Sequence, residues 1–200
     1  MKYLSVAIIS LCLIAYASNA KKVLGTDLNE KVLELTFQNK EAPDRSLVEL
    51  EKESGVLNKF VGSYPPRFRD ENQRNEVYEH WLTLISDAEA HSPASSDKEK
   101  RYYILAELYR QGHNMDVGGS AERANENLEH CLSSFPNSVS CNLSATYFYL
   151  SVGSHLGQVE KSLNILREHY HPKLYSEVEG GYVFLYLYQR DVANSEKLEY

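Results

Sequence analysis

Two of the three cysteines in this 200-residue chain, Cys131 and Cys141, stand on either side of Pro136. If the chain enters an oxidising compartment, such a pair closes a disulfide; the alternative is two free thiols packed as small buried apolar groups. On the chain-entropy scale, closing so short a loop stabilises a fold by roughly 2–3 kcal/mol. Metal chemistry would need more ligands than the chain supplies. His113 and His155, with Asp116 nearby, are the best candidates, but two loop histidines without a fixed third ligand are ordinarily just solvated. His169 and His171 suit a helix C-terminus, whose dipole favours them.

Nucleophilic catalysis has no footing either. No Gly-x-Ser-x-Gly elbow occurs, and neither cysteine has a positioned base. Gly118-Gly119-Ser120 precedes a helix and could hold an anion, but the rest of a phosphate loop is missing. Paired acids such as Asp70-Glu71 and Glu126 with Glu129 have the character of helix starts and solvated faces. The expectation is a protein that is not an enzyme and takes no cofactor and no metal. Asn142-Leu143-Ser144 is a glycosylation sequon, but it falls inside a predicted helix.

The compartment is read from the N-terminus. Lys2 precedes an apolar run over 4–17, and Ser18-Asn19-Ala20 offers small residues for cleavage, with Ala15-Tyr16-Ala17 as an alternative. This pattern predicts a secretory signal peptide over 1–20; an uncleaved anchor is the other reading, disfavoured by the shortness of the run. Cys12 follows Leu11, which is too bulky for lipoprotein processing. Loss of the segment takes the basic count from 21 to 20 against 28 acidic side chains. An acidic surface repels nucleic acid phosphates and anionic lipid, so neither is an expected partner. The protein is expected to be exported, either to a periplasm or out of the cell, with no membrane span after signal removal.

Helical periodicity organises the rest. In 21–69, Asp27 caps a short run with Leu28, Val32 and Leu35 on one face, and Leu47, Leu50, Leu57, Phe60 and Val61 form a less regular helix around Gly55. From Asp70 the pattern sharpens into repeated helices over 70–193. Asp70 with Gln73, Ser96 with Glu99 and Ser176 with Glu179 have capping-box spacing, and Ser120 is a further N-cap. Val77, Trp81, Leu84, Ile85 and Ala88 make one apolar stripe; Gly112 is expected to end the helix carrying Tyr102, Leu105, Ala106 and Tyr109. Pro136 and Pro172 close two later helices, and 194–200 is expected to fray. Gly180 and Gly181 weaken the last helix, which points to a close backbone approach at one of them or both.

Tyr109, Tyr149 and Tyr188 recur at steps of 40 and 39 residues, Ala124 and Ser162 are 38 apart, and Pro93, Pro136 and Pro172 mark corresponding turns. A shared period across independent markers is the signature of a helical repeat. Over roughly residues 70 to 189 the chain resembles tetratricopeptide-like repeats: Leu105, Ala106 and Tyr109 fit a first helix, Ala124, Leu128 and Cys131 a second, with Pro136 at the closing turn. Tyr109-Arg110-Gln111-Gly112 followed by a long loop is also similar to the Sel1-like variant. The fold class is therefore all-α, with stacked antiparallel helix pairs preceded by irregular N-terminal helices. The departures are a period longer than the usual 34 or so residues, Ser162 for alanine, and Asn142 and Gly181 where an aromatic is usual.

The resemblance implies that the first helices line a concave face that binds a protein or an extended peptide. Carried over by position, that face exposes Lys100, Tyr103, Glu107 and Arg110, then Leu143, Tyr147 and Leu150, then Glu179, Tyr182, Tyr186 and Gln189. Tyrosine is a good recognition residue, being large, stiff and able to hydrogen-bond; these tyrosines would otherwise pack against neighbouring helices. The expected function is an exported, non-catalytic adaptor. Two other classes are a small-ligand-binding component accompanying a solute transporter, which calls for a dry pocket lined by these tyrosines, and a self-associating structural protein of the envelope.

Overall fold

The structure, a computed structural model, describes residues 42–92 and 97–195, without the side chains of 191–195. The expected signal peptide, the Asp27 helix, the Pro93 turn, the Ser96 cap and the end of the tail lie outside the described residues. Seven helices make up the regular structure among them: α1 (Leu47–Val61), α2 (Glu71–Ala90), α3 (Lys98–Asn114), α4 (Ser120–Ser134), α5 (Val139–Val152), α6 (Leu156–Tyr170) and α7 (Ser176–Ser195). The fold is all-α, and the order of contacts is compatible with a helical repeat.

Each helix packs on the next in sequence, and the odd-numbered helices also pack on one another, α1 on α3, α3 on α5 and α5 on α7. Among the described residues the even-numbered helices do not touch one another. One layer is therefore closed and the other splayed, and a two-layer stack of that kind curves toward its closed layer. The exposed surface of α3, α5 and α7 lies on the inside of the curve.

Local chemistry explains the element boundaries. Ser46 and Glu49 form a reciprocal capping box at α1: the Ser46 hydroxyl accepts from the Glu49 amide and the Glu49 carboxylate accepts from the Ser46 amide. α1 is thus a regular helix with Leu47, Leu50, Leu57 and Val61 buried. It takes an inner-layer position, packed on α3. Asp70 caps α2 through the Gln73 amide, but the Gln73 side chain accepts from the Arg69 amide, one residue earlier than a capping box requires. The Val77-to-Ala88 stripe is buried as expected, and the Trp81 indole donates to the Leu108 carbonyl of α3 at 2.6 Å.

Three expected boundaries are corrected. Gly112 does not end α3, which runs on to Asn114; Gly112 is instead a buried point of contact. A Cβ there would lie 2.4 Å from Trp81 Cζ2 and 2.6 Å from Ser120 Oγ. Ser120 is the first helical residue of α4, and Gly119 at φ 73° takes the cap position in the left-handed conformation glycine tolerates best. Ser176 begins α7 and donates to Glu177, while Glu179 pairs with Arg167 on α6, so their spacing forms no capping box.

Cys131 and Cys141 are joined in a disulfide, with Cα atoms 5.8 Å apart, that ties the end of α4 to the first turn of α5. The buried Asn142 beside it donates from Nδ2 to the Pro136 and Ser138 carbonyls. The sequon is therefore closed to a glycan in the folded chain.

Two of the helical glycines, Gly112 and Gly55, should respond oppositely to alanine. Gly112→Ala is expected to destabilise by about 1–3 kcal/mol through overpacking against Trp81, whereas Gly55, with nothing within 4 Å of an added Cβ, should gain about 0.5–1 kcal/mol from helix propensity. Urea denaturation of the two variants measures both signs.

Candidate functional site

The burial pattern sets which side chains the inner helices present. Ile104, Leu105, Leu108 and Tyr109 are buried in α3; forty residues on, so are Ser144, Ala145, Phe148 and Tyr149 in α5. From α5 to α7 the step is 37 rather than 39: Cys141, Ser144, Ala145 and Phe148 correspond to the buried Val178, Gly181, Tyr182 and Leu185. Gly181 holds the register because an added Cβ would meet Leu163 Cδ2 at 2.6 Å and Thr146 Cγ2 at 3.5 Å. The close approach expected for the glycine pair is here, and Gly180 has nothing within 4 Å.

This two-residue shift corrects part of the expected face. Tyr182 is only 5% exposed, donates its hydroxyl to Asn164 on α6 and lies under the Arg167 guanidinium at 3.7 Å from the ring centroid. Arg110 is likewise buried, donating to the Gly62 carbonyl, Asn58 Oδ1 and Glu107. Neither side chain presents an open surface. The α7 counterparts of Leu143, Tyr147 and Leu150 in the new register are Gly180, Phe184 and Leu187, and Phe184 and Leu187 are 59% and 51% exposed. Sequence reasoning missed both; the usable signal was the small-residue pair Ser144 and Gly181, which aligns the helices better than Tyr149 and Tyr188.

The other expected residues remain at the surface to differing degrees. Tyr147 is 43% exposed at the middle of the inner face, with the half-buried Leu143 and Leu150 one helical turn to either side. Tyr103 donates to Glu51, which also pairs with Lys100 at 2.7 Å. Glu107 bridges Arg110 and the Ser144 hydroxyl, joining α3 to α5. Tyr186 and Gln189 are exposed, turned toward the free side of α7, and Glu179 holds Arg167.

The electrostatics around Tyr147 are acidic. Partial burial raises its pKa first, and the charge of Glu177 raises it further, with smaller contributions from Tyr175 and Glu107 and an opposing one from Arg110. At Glu51 burial opposes ionisation, yet the hydrogen bonds from Lys100 and Tyr103 prevail and hold its pKa below the ordinary carboxylate value. Tyrosine face and carboxylate together already receive a guanidinium within the chain, where Arg167 lies over Tyr182 and pairs with Glu179. At Tyr147 the acidic charges are Glu177 and Glu107, the latter already paired with Arg110.

A shallow depression of about 550 Å³, lined by Asn137 and by α6 residues including Glu160, Lys161, Asn164 and Glu168, lies on the outer layer and contains none of these tyrosines. Among the described residues no group of three metal-ligating side chains comes together. His113 packs edge-on to Phe148 and His155 stacks on Tyr149. No helix among them is long and apolar enough to cross a membrane. Comparison with known protein families, curated proteins and solved structures finds no match for this chain.

The buried tyrosines make the stack sensitive to alkali. Burial pushes Tyr149 up to about 12 and moves Tyr109 upward as well, with Glu89 adding to the effect at Tyr109. A raised folded-state pKa gives stability that is complete below the unfolded value near 10 and is lost as pH climbs toward 12. Folding stability should therefore fall across pH 10–12, and the fall should be shallower in Tyr149→Phe; equal slopes in a pH series of denaturation curves would count against this origin.

Proposed function

We propose that the protein is an exported, non-catalytic helical-repeat adaptor of tetratricopeptide-like type, which holds an extended peptide along the inner face of α3, α5 and α7. The observation that carries this reading is Tyr147, exposed at the centre of a face continued by Leu143, Leu150, Phe184 and Leu187. Exposed apolar and aromatic side chains grouped on one surface mark a place where another chain docks.

The chemistry of the face selects the peptide. Glu177 is exposed and acts on Tyr147 more strongly than any other charge, so a lysine or arginine entering there meets a ring face in an acidic setting. Apolar side chains before or after it meet Phe184 and Leu187. Export is supported by the signal-like N-terminus and by the disulfide, which is at home in an oxidising compartment. The tyrosines sit on an open surface rather than around a dry cavity, which favours a peptide over a small ligand.

The test is selection from a displayed random-peptide library on the chain without residues 1–20, followed by affinity measurement on the selected peptides. They should combine a basic residue with apolar or aromatic ones. Tyr147→Ala and Phe184→Ala should each weaken binding by about tenfold or more, the scale of a hot-spot truncation, while Lys161→Ala on the outer layer should leave it unchanged. Selected peptides indifferent to both inner-face variants would overturn the assignment.

A further inference from the structure

The free side of α7 carries Val183 and Tyr186, both 58% exposed, beside Leu187. Their counterparts 37 residues earlier, Thr146 and Tyr149, are each 2% exposed. Neighbouring elements cover those two: Thr146 reaches Gly181 on α7, and Tyr149 is held between Asn125 on α4 and the His155 ring. At Val183, the counterpart of Thr146, the repeat thus presents on α7 the surface that receives a helix one step earlier. Gly180 adds a second, independent sign, since a glycine inside a helix weakens it, and unlike Gly181 this one has no close neighbour among the described residues.

We infer that this face is the contact between two copies of the chain, packed α7 against α7 about a two-fold axis. The side chains explain the choice of occupant. Gly180 and Leu187 lie on one stripe of the helix, two turns apart and equally far from the midpoint between Val183 and Phe184. An antiparallel pairing centred there drops each Leu187 into the open space over Gly180 of the other copy, and the two-fold axis repeats the fit. Covering Val183, Tyr186, Leu187 and their flanks on both copies removes on the order of 1,000 Å² in total, about the least a biological interface needs and in keeping with a weak, reversible dimer. Arg190 falls on the same flank as Glu179, so the pairing sets Arg190 of one copy beside the Arg167–Glu179 pair of the other at that rim. The inference does not depend on the peptide reading; since Leu187 and Phe184 belong to both surfaces, a second copy and a peptide would compete for the α7 end of the inner face.

Sedimentation equilibrium of the chain without residues 1–20, across a micromolar concentration series, tests this. The wild type should form a reversible dimer. Val183→Lys should raise its dissociation constant at least tenfold. Gly180→Leu should do the same by filling the space Leu187 needs, although it favours the helix; circular dichroism confirms that both variants are folded. A wild type at monomer mass throughout, as expected if another part of the same chain covers the face, overturns the inference, and so does a dimer indifferent to both substitutions.

Discussion

Three inner helices are each anchored to the outer helix before them by a buried tyrosine whose hydroxyl finds an acceptor there. Tyr109 on α3 donates to Glu89 on α2, Tyr149 on α5 to Asn125 on α4, and Tyr182 on α7 to Asn164 on α6. Tyrosine suits the task because its ring fills the space between two helices while the polar tip settles the rotation of one about the other. Removing the acceptor would strand a buried hydroxyl, so ring and partner act as a unit. Where the inner helices are held in this way, the remaining side chains of α3, α5 and α7 have little choice about which way they face.

The same constraint explains why the stack narrows at one layer. Gly112 lets Trp81 close on α3, and Gly181 lets Leu163 and Thr146 close on α7. At the α4–α5 turn a different device serves, since the disulfide and Asn142 fix the geometry covalently and by hydrogen bonds. Buried polar groups take up the joint between α1 and α3, where Gln111 donates to the Ser54 carbonyl and Asn114 to the Val61 carbonyl. Hydrogen bonds as well as apolar packing thus join α1 to α3.

Much of this fold is legible in the residues. The stripe from Val77 to Ala88, the Asp70 cap, the Pro136 turn and the Cys131–Cys141 bridge follow from spacing and type. What spacing could not resolve is the step between α5 and α7. Tyr149 and Tyr188 are chemically alike and 39 residues apart, yet Tyr188 is only half-buried, and a Cβ on Gly153 would lie 3.4 Å from its ring. Tyr182 takes the core position because Gly181 beside it permits a close approach, an effect set by backbone distance rather than hydrophobic period. Ser120 and Gly112 misled for a related reason: both have the type of a helix terminus, and tertiary contact uses them instead as small residues around Trp81.

Which tyrosines hold the stack and which remain for a partner is therefore the central claim, and the equilibrium unfolding free energies of Tyr182→Ala and Tyr147→Ala test it most directly. Tyr182→Ala should lose about 3–5 kcal/mol, as removal of a buried aromatic ring does, and Tyr147→Ala about 1 kcal/mol or less, as befits a surface position. A large loss at Tyr147 with a small one at Tyr182 would restore the 39-residue register and contradict the face described here.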